Sequence, residues 1–257
     1  PDGGLYASMG AESFEPGVDK RRYARENGKG IAGLVSYYDA TGDAQALSLA
    51  ARHATWVMAN RALPGGGYSH DAEDKGGPYL ADTLEMGRAF IHLHRSTGER
   101  RWLDAAVGAG DFILANFVED ATGGFMAAAK PAQGFMTKAV KQKDDNVAAT
   151  RLLNLLNAYT AADRFREAAE AGMGYLASDA VLEAFWYLPG VLQAEFELGE
   201  DALHVTVVGG HGNPKAAELY AAALAYPAVH KRAEWWDRSK GDLANPNVKY
   251  PQLATAA

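Results

Sequence analysis

The chain has 257 residues, 48% of them hydrophobic and 22% charged, with a formal net charge of −7. This length supports a large core in one or two domains, and an acidic chain without a basic stripe argues against nucleic acid as a ligand. No apolar run reaches the roughly 18 residues of a membrane span, and the absence of cysteine excludes disulfides, zinc–thiolate sites and thiol chemistry within the chain.

The chain begins at Pro1 rather than at Met, which indicates a processed product, a fragment or an incomplete record. Because processing removes leader sequences, cytoplasmic and periplasmic locations both stay open. Residues 1–18 are punctuated by Gly and Pro, with a short extended piece at Leu5-Tyr6-Ala7. Helical periodicity then predicts helices over about 20–39, 44–62, 79–96, 100–116, 146–159, 164–177 and an interrupted 181–198.

Three similar turns separate these predicted helices in pairs. They lie at Tyr37–Asp43, Leu93–Glu99 and Leu156–Asp163. In each, an apolar or aromatic run stops, a short Thr/Gly/Ala turn follows, and an acidic residue opens the next helix. Gly ends helices because it tolerates the left-handed conformation, and an acidic side chain accepts unpaired amides at a helix start. A repeated unit of this length predicts a stacked array of helical hairpins.

The hydrophobic period changes near the C-terminus. His204-Val205-Thr206-Val207-Val208 is a β-branched run that ends in Gly209-Gly210, which predicts a strand. Residues 214–225 read as a helix with Pro in its first turn, and 229–236 as a second strand. We therefore expect a small βαβ unit, with parallel strands, after a helical domain. The expected domains are 1–200 for the hairpins and 201–257 for the βαβ unit and an extended tail packed on them.

Several short motifs, taken in their order along the chain, resemble a known family. They are Gly-Gly-Leu-Tyr-Ala-Ser at 3–8, Asn27-Gly28, Gly-Gly-Tyr at 66–68, Tyr79-Leu80-Ala81-Asp82, Trp102-Leu103, Gly123-Gly124-Phe125, Asp145-Asn146 and Val-Thr-Val-Val-Gly at 205–209. In this order they resemble the helical domain of the thioredoxin-domain-fused, spermatogenesis-associated protein family. The resemblance implies an all-α fold, an (α/α) toroid or partial toroid like those of N-acylglucosamine 2-epimerases and six-hairpin glycosidases.

The chain departs from the family pattern at three points. Glu26 stands where an aromatic residue usually precedes Asn-Gly, and Ala81-Asp82-Thr83 replaces Asp-Asp-Tyr, so that one carboxylate is kept. The Cys-bearing thioredoxin-like domain is absent. We count roughly seven or eight helices before the βαβ unit, fewer than a closed toroid needs, so the chain is expected to be part of a longer architecture.

The loop at residues 65–78 and the helix after it carry the main candidates for chemistry. In a toroid of this type, the starts of the inner helices and the loops before them line one mouth. His70, Asp82 and Glu85 are the candidate catalytic residues, and Asp82 and Glu85 are three apart, so both can face one side of a helix. Paired carboxylates suit acid/base work on a sugar. The alternative is that Asp71 and Asp74 are solvated loop charges and that Asp82 caps or braces a neighbouring helix.

The candidate substrate-binding residues lie in the same loop and on two inner helices. They are Asp71, Asp74, Arg88, Asp145, Asn146 and Arg151. Asp144-Asp145-Asn146 can instead cap a helix, which is the interpretation we prefer. The two arginines can bind an anionic or hydroxylated ligand, or pair with Asp82 or Glu85.

The remaining histidines and glycines favour structural roles. His92 and His94 are two apart on a helix and point in different directions, so a shared metal is not expected. The Gly209–Asn213 segment lacks the Lys-Ser/Thr of a phosphate-binding loop and reads as a tight turn. Trp235-Trp236 is expected to pack the tail against the toroid. We predict no cofactor and no metal.

Two functions compete at this point. The first is a toroid domain that binds or processes carbohydrate, as a sugar epimerase or isomerase or as a glycoside hydrolase. The second is a non-catalytic scaffold or accessory subunit, in which a protein partner covers the open end of the array, near residues 1–40 or the Trp235-Trp236 tail. Because half of the acidic motif is missing at Ala81, the sequence favours the scaffold for the isolated chain. A redox function would require the absent Cys-bearing domain.

Overall fold

Three helical hairpins form the core of the protein, of which the computed structural model describes residues 3–9, 17–73, 76–119, 121–129 and 140–248. The paired helices are α1 (Ala24–Thr41) with α2 (Ala44–Arg61), α3 (Leu80–Thr97) with α4 (Arg100–Phe117), and α5 (Lys143–Thr160) with α6 (Asp163–Leu176). They are followed by the one-turn helix α7 (Asp179–Leu182) and by α8 (Pro189–Gly199). The predicted hairpin array, with eight helices before the C-terminal unit in the described ranges, is confirmed.

The three hairpin turns repeat one local arrangement. Gly42, Gly98 and Ala161 end α1, α3 and α5 in the left-handed conformation, with φ of 74°, 69° and 56°. A Thr hydroxyl before each of them donates to the carbonyl four residues back and accepts the amide of the residue two positions ahead, at Thr41, Thr97 and Thr160. The repeated turns predicted from the sequence are therefore confirmed.

The predicted acidic caps are present at only one of the three turns. Asp43 accepts the amide of Gln45 at 2.9 Å and caps α2. Glu99 stands at the start of α4, but its carboxylate pairs with Arg101 at 2.5 Å and makes no cap bond. Asp163 lies one position inside α6, after Ala162. The bond from the threonine hydroxyl to the following amide is therefore common to all three turns, whereas the acidic cap is found only at the first.

The inner helices α1, α3 and α5 lie side by side, with α2, α4 and α6 packed outside them. An added Cβ at Gly28 would fall 2.6 Å from the backbone carbon of Glu85, so glycine is required where α1 crosses α3. The small residues of α1 therefore permit close approach of another backbone rather than a kink. Phe90 and Trp102 stack at 6.0 Å in the main core between α3 and α4.

The fourth residue of each inner helix holds the loop in front of that helix. The Asn27 amide bonds both the N–H and the C=O of Leu5, and the Asn146 amide does the same for Phe125. In α3 the equivalent residue is Thr83, which accepts the amide of Tyr68 at 3.1 Å. Each of these loop residues directly follows a Gly-Gly pair, so these three weak motifs mark one repeated structural unit.

The C-terminal unit has the predicted βαβ arrangement. Strand β3 (Leu203–Val208) pairs in parallel with β4 (Lys231–Trp236), in a register from Leu203↔Lys231 to Val208↔Trp236, and α9 (Pro214–Ala225) connects them. Asn213 caps α9, which identifies the Gly-rich segment before it as a tight turn. Near the N-terminus, β1 (Ser8–Met9) pairs antiparallel with β2 (Val18–Asp19), slightly after the predicted extended piece.

The βαβ unit sits against the C-terminal ends of α3 and α5. The Tyr159 hydroxyl donates to the carbonyl of Ala233 at 3.2 Å, and the Tyr220 hydroxyl donates to the carbonyl of Arg95. The Trp235 indole donates to the carbonyl of Gly209 at 2.8 Å and its ring stacks on His211, so this tryptophan packs within the βαβ unit. None of the described helices is both long and apolar enough to cross a membrane.

Large exposed apolar side chains are concentrated in the α7–α8 region, with Trp186 96% exposed. The others there are Leu182, Phe185, Tyr187, Leu192 and Phe196. The predicted partner surfaces, at residues 1–40 and at Trp235-Trp236, lie elsewhere and stay predictions, as do the two domain boundaries.

Candidate functional site

The starts of the three inner helices meet at one end of the array, which we call the mouth. It consists of the first turns of α1, α3 and α5 with the loops at 62–79 and 118–142, as far as these are described. The two loops touch where the amide of Ala129 donates to the carbonyl of Pro78 at 3.1 Å. The Arg25 amide bonds Asp82, and the positive charges of Arg25 and Lys29 act on Asp145. Asp82 and Asp145 therefore lie at the same end, as the hairpin register predicts.

Asp82 is the centre of the mouth. It is 1% exposed and lies in the first turn of α3, where the helix dipole favours a carboxylate. Its Oδ1 accepts the amide of Arg25 at 2.9 Å, and both of its oxygens lie 3.1 Å from Nδ1 of His70. Burial raises the pKa of Asp82 above its usual value, and the contact with His70 opposes that rise. The interpretation that Asp82 braces a neighbouring helix is thus confirmed, and the contact with His70 is additional.

His70 lies in an aromatic cleft of the loop between α2 and α3. Its ring stacks on Tyr23 at 4.2 Å and meets the Tyr79 ring edge-on at 5.8 Å. The side chain is 37% exposed, so solvent and small molecules reach the ring although Nδ1 contacts Asp82. The carbonyl of His70 also accepts the amide of Ala24, which fixes the loop to the start of α1. Two of the three predicted catalytic residues are therefore in direct contact.

Glu85 lies one turn further along α3 and pairs with Arg88 rather than with Asp82. Both carboxylate oxygens accept from Nη1 of Arg88, at 3.1 and 2.9 Å. Glu85 is largely buried, whereas the side chain of Arg88 is 36% exposed. The expected alternative for Arg88, an ion pair with Glu85, is confirmed. Asp82 and Glu85 share one face of the helix but face different partners.

Of the two predicted loop aspartates, Asp71 lies within the residues that the structure describes. Asp71 accepts from Arg61 at 3.3 Å and from the amide of Ala72 at 2.7 Å, so it ties the loop to the end of α2. Asp74 lies outside the described residues. Arg61 is buried and also donates to the carbonyl of Arg22 at 3.1 Å. A substrate contact by Asp71 stays a prediction.

The Asp144-Asp145-Asn146 segment does not form the expected helix cap. The residue at the cap position of α5 is Gln142, and no side chain bonds there. Asp145 lies in the first turn and is half-buried, and burial raises its pKa while Arg25 and Lys29 oppose the rise. Asn146 is fully buried and bonds the backbone of Phe125 and Gln142. These three hydrogen bonds hold the loop in front of α5, and a substrate contact of Asn146 stays a prediction.

A cavity of about 240 Å³ lies between α3 and α5, and we call it the α3–α5 groove. Both predicted arginines line this cavity. Arg88 and Arg151 are each the ninth residue of their helix, so they lie at the same level of α3 and α5. Arg151 forms a two-fold bond to the buried Glu197 of α8, with both distances 2.7 Å. The remaining lining side chains are Ile91, His92, Arg95, Ala148, Leu152, Leu155, Glu197 and residues 228–231. A pairing of Arg151 with Asp82 or Glu85 does not occur.

His92 and Arg95 are groove residues that the sequence reasoning did not select. Burial, together with the positive charges of Arg95, Arg88 and Arg151, lowers the pKa of His92 to about 3. Nη2 of Arg95 contacts His92 at 3.3 Å and Asp39 at 2.6 Å. The signal for these residues was the spacing of Asp82, Glu85, Arg88, His92 and Arg95, which marks one helical face.

Tyr23, Tyr79 and Glu26 at the mouth were also not selected. Glu26 is the third residue of α1, as Asp82 is of α3 and Asp145 of α5, and its charge contributes to the raised pKa of Asp82. Comparing the first turns of the three inner helices would have identified it. Across the described ranges, no group of three or more His, Asp or Glu side chains is placed to hold a metal ion.

Comparison with protein families gives one partial match. The model of the family "Beta-L-arabinofuranosidase, GH127 catalytic domain" matches residues 19–117, which contain α1 to α4 and the loop with His70. The match covers less than half of the chain. No curated protein matches the sequence.

Solved structures give matches over a longer part of the chain. A sugar epimerase from a ruminal bacterium is 18% identical with a TM-score of 0.52, covering 64% of this chain and 46% of its own. A family 76 α-mannanase from Bacteroides thetaiotaomicron is 16% identical with a TM-score of 0.55, covering 84% and 58%. The cellobiose 2-epimerase from Spirochaeta thermophila is 16% identical with a TM-score of 0.55, covering 68% and 47%.

These similarities establish the fold. The protein spans about half the length of the solved structures that it matches. It is mostly helical, carries a small parallel two-stranded sheet near its C-terminus, and has the (α/α)-toroid type of fold found in sugar epimerases and six-hairpin glycosidases. At these identities the likeness extends to the fold alone.

Proposed function

We propose that this protein processes a carbohydrate at the mouth of the toroid, with His70 as the acid/base group and Asp82 as the carboxylate that orients it. The observation that carries the proposal is the 3.1 Å contact of a buried carboxylate with a partly exposed imidazole. General acid/base catalysis requires such a positioned group, and histidine is the side chain used most often. The shared fold of sugar epimerases and glycosidases supports a sugar as the ligand.

The contact with Asp82 determines how His70 would act. An ionised carboxylate accepts a hydrogen bond from Nδ1–H, which leaves the lone pair of the neutral ring on Nε2. Nε2 then takes a proton from the substrate, and Asp82 stabilises the imidazolium that forms. Asp82 is too deeply buried to reach a substrate itself, so it is a positioning residue. Tyr23 and Tyr79 would hold the ring in its plane and offer flat surfaces to a sugar.

Proton transfer at a carbon atom next to a carbonyl is the reaction that this arrangement supports best. Epimerases and isomerases of reducing sugars need one group that removes a proton and returns it, which a single oriented imidazole can do. Glycoside hydrolysis needs two carboxyl groups on either side of the bond. Of the two predicted carboxylates, Asp82 is 1% exposed and Glu85 is bound to Arg88. Neither is placed to act alone on a glycosidic oxygen.

Glycoside hydrolysis is the second candidate, and one observation favours it. The family model that matches residues 19–117 describes a β-L-arabinofuranosidase catalytic domain. The matched segment contains His70, Asp82 and Glu85, and Asp145 lies at the same mouth outside it. If the reaction is hydrolysis, Asp145 and Glu85 are the carboxyl groups to test first.

The scaffold role and the thioredoxin-fused family stay as alternatives. A scaffold would use Asp82 only to brace α1, which the bond to the Arg25 amide already does. The family resemblance rests on short motifs, several of which the structure explains as loop-holding units. An oriented, partly exposed histidine is not needed by a scaffold, which is why we favour carbohydrate processing.

The test compares two variants of the mouth with wild type on a panel of reducing sugars and aryl glycosides. We expect Asp82→Asn and His70→Gln each to lower turnover by about 10²–10⁴-fold, the range for loss of general acid/base catalysis. Sugar binding, measured by calorimetry, should change much less than turnover, because both variants keep the Tyr23 and Tyr79 rings at the mouth. Arg164→Gln, at an exposed ion pair with Asp111, is the control and should match wild type. A wild-type protein that binds and converts no sugar would support the scaffold instead.

A further inference from the structure

The cationic side chains of the α3–α5 groove converge from three elements. Arg88 and Arg95 come from α3, Arg151 from α5, and Lys231 from the start of β4. Against these four cations the groove lining contains the single carboxylate of Glu197. Glu85 and Asp39 bond two of the arginines from the edge. Each of the three arginines thus has one carboxylate partner, whereas Lys231 donates to three carbonyls at the end of α9 and has no carboxylate partner in the described structure.

The ion pairs leave donors of all three arginines unused by the described residues. A guanidinium has five N–H donors in a fixed fork. Arg88 bonds Glu85 through Nη1 alone, and Arg151 bonds Glu197 through Nε and Nη2. Arg95 uses Nη2, and its Nε is buried without a hydrogen-bond partner in the described structure. A buried unpaired donor is unfavourable unless a ligand takes it up.

His92 lines the groove together with these arginines, and their positive charges affect its pKa. Burial contributes most to the lowered pKa of His92, and the charges of Arg95, Arg88 and Arg151 lower it further. An anion in the groove would offset these charges and accept the unused N–H groups, in the paired geometry that arginine offers to carboxylate and phosphate. A neutral sugar would accept hydrogen bonds from the donors but would not offset the positive charges that act on His92.

We propose that the α3–α5 groove binds the anionic group, carboxylate or phosphate, of an acidic sugar whose reacting carbon lies at the mouth. This rests on the proposed function, because His70 and Asp82 supply the chemistry. Asp82 is the third and Arg88 the ninth residue of α3, so they are separated by about 9 Å along the helix axis. That distance suits a sugar with its reducing end at His70 and its charged end among the arginines. A uronic acid and a sugar phosphate are the two sources of this chemistry.

Calorimetry with a matched set of ligands tests the groove. The ligands are glucose, glucuronate, glucose 6-phosphate and inorganic phosphate, each titrated into wild type, Arg88→Gln, the double variant Arg88→Gln/Glu85→Gln, and the Arg164→Gln control. We expect the acidic sugars to bind at least ten-fold more tightly than glucose. Arg88→Gln should weaken the acidic sugars about ten-fold without changing glucose, and the control should match wild type. Comparing the affinities of glucuronate and glucose 6-phosphate then shows whether the groove prefers a carboxylate or a phosphate.

The double variant separates loss of charge recognition from loss of folding. It removes Arg88 together with its partner, so no buried carboxylate is left unpaired, and it should bind acidic sugars as weakly as Arg88→Gln does. Equal affinity of wild type for glucose and for both acidic sugars would overturn the groove proposal while the proposed function stands. Binding of inorganic phosphate that depends on Arg88, without binding of any sugar, would support the groove and overturn the sugar function. Binding of none of the four ligands would overturn both.

Discussion

Asp82 joins two parts of the mouth through one carboxylate. Its Oδ1 accepts the amide of Arg25 from α1, and both oxygens contact the ring of His70 from the loop. An almost fully buried carboxylate is stable only when its hydrogen-bond needs are met inside the protein. The same bonds that secure α1 against α3 therefore also set the orientation of the imidazole.

His92 makes stability depend on pH in a defined direction. Its pKa is about 3 in the folded protein, against an ordinary histidine pKa of 6.5, so the unfolded chain takes up a proton first as the pH falls. The stabilising effect of the neutral ring is complete above pH 6.5 and is lost between that pH and about 3. We expect the free energy of unfolding, measured in urea, to fall less from pH 7 to pH 5 in His92→Gln than in wild type. An identical fall in both proteins would contradict this account.

The sequence predicted the residues of the mouth better than it predicted their partners. His70 and Asp82 are 12 residues apart on a loop and the helix after it, so the hairpin pattern alone placed them together. Arg151 and Glu197 are 46 residues apart and meet only because α8 packs on α5. Asn146 looked like a cap because Asp and Asn favour caps, and its bonds to Phe125 depend on the path of a long loop. Contacts between residues that are far apart in the chain cannot be predicted from the local sequence pattern.

At the scale of helices and loops, the Gly-Gly pairs and the fourth residues of the inner helices form one repeated structural unit. Each of these side chains hydrogen-bonds the backbone of one loop residue, as a neighbouring β-strand would. These bonds fix the path of the loop around the mouth. Close packing explains why glycines recur in front of each inner helix. An added Cβ would fall 2.5 Å from the carbonyl oxygen of Gly108 at Gly66, 2.6 Å from that of Ala171 at Gly123, and 2.6 Å from the Trp56 ring at Gly4.

Removing one of these side chains should destabilise the whole protein. Asn146→Ala leaves the buried N–H and C=O of Phe125 unpaired, and each such group costs about 1–3 kcal/mol. We expect a fall of about 2–4 kcal/mol in the free energy of unfolding measured in urea. Asn60→Ala is the matched control, because Asn60 is exposed and bonds only the carbonyl of Trp56, and it should change little. Equal effects of the two variants would refute the loop-holding role.

The helices and their turns could be predicted because their signals are local. Hydrophobic period, Gly at the ends of α1 and α3, and the change to a β-branched run at 204–208 each act within a few residues. Ala161 takes the left-handed conformation at the third turn in place of Gly, with φ of 56°. The end of α5 was predicted from the similarity of this turn to the other two turns, and not from the residue type at position 161.

At the scale of the whole molecule, the mouth and the βαβ unit occupy opposite ends of the inner helices. The unit covers the C-terminal ends of α3 and α5 through bonds from Tyr159 and Tyr220, and residues 228–231 reach into the groove between them. Residues of the βαβ unit and of the helix α8 therefore complete the lining of the groove between α3 and α5.

The contacts between hairpins and βαβ unit should make them unfold together. We expect one cooperative transition in urea, with helical circular dichroism and tryptophan fluorescence giving the same midpoint. Tyr220→Phe removes the hydroxyl that bonds the carbonyl of Arg95 and should lower stability by about 1 kcal/mol with the transition still single. Two separate midpoints in wild type would show instead that the unit folds independently.

The central claim is that His70 moves a proton to and from a sugar carbon at the mouth, and exchange of that proton with solvent tests it most directly. The measurement is proton NMR of reducing sugars, neutral and acidic, incubated in heavy water with wild type, His70→Gln or the Arg164→Gln control. The account predicts loss of the signal of the hydrogen next to the carbonyl with wild type and with the control, and no loss with His70→Gln. Equal exchange by wild type and His70→Gln, or no exchange with any sugar by wild type, would contradict it.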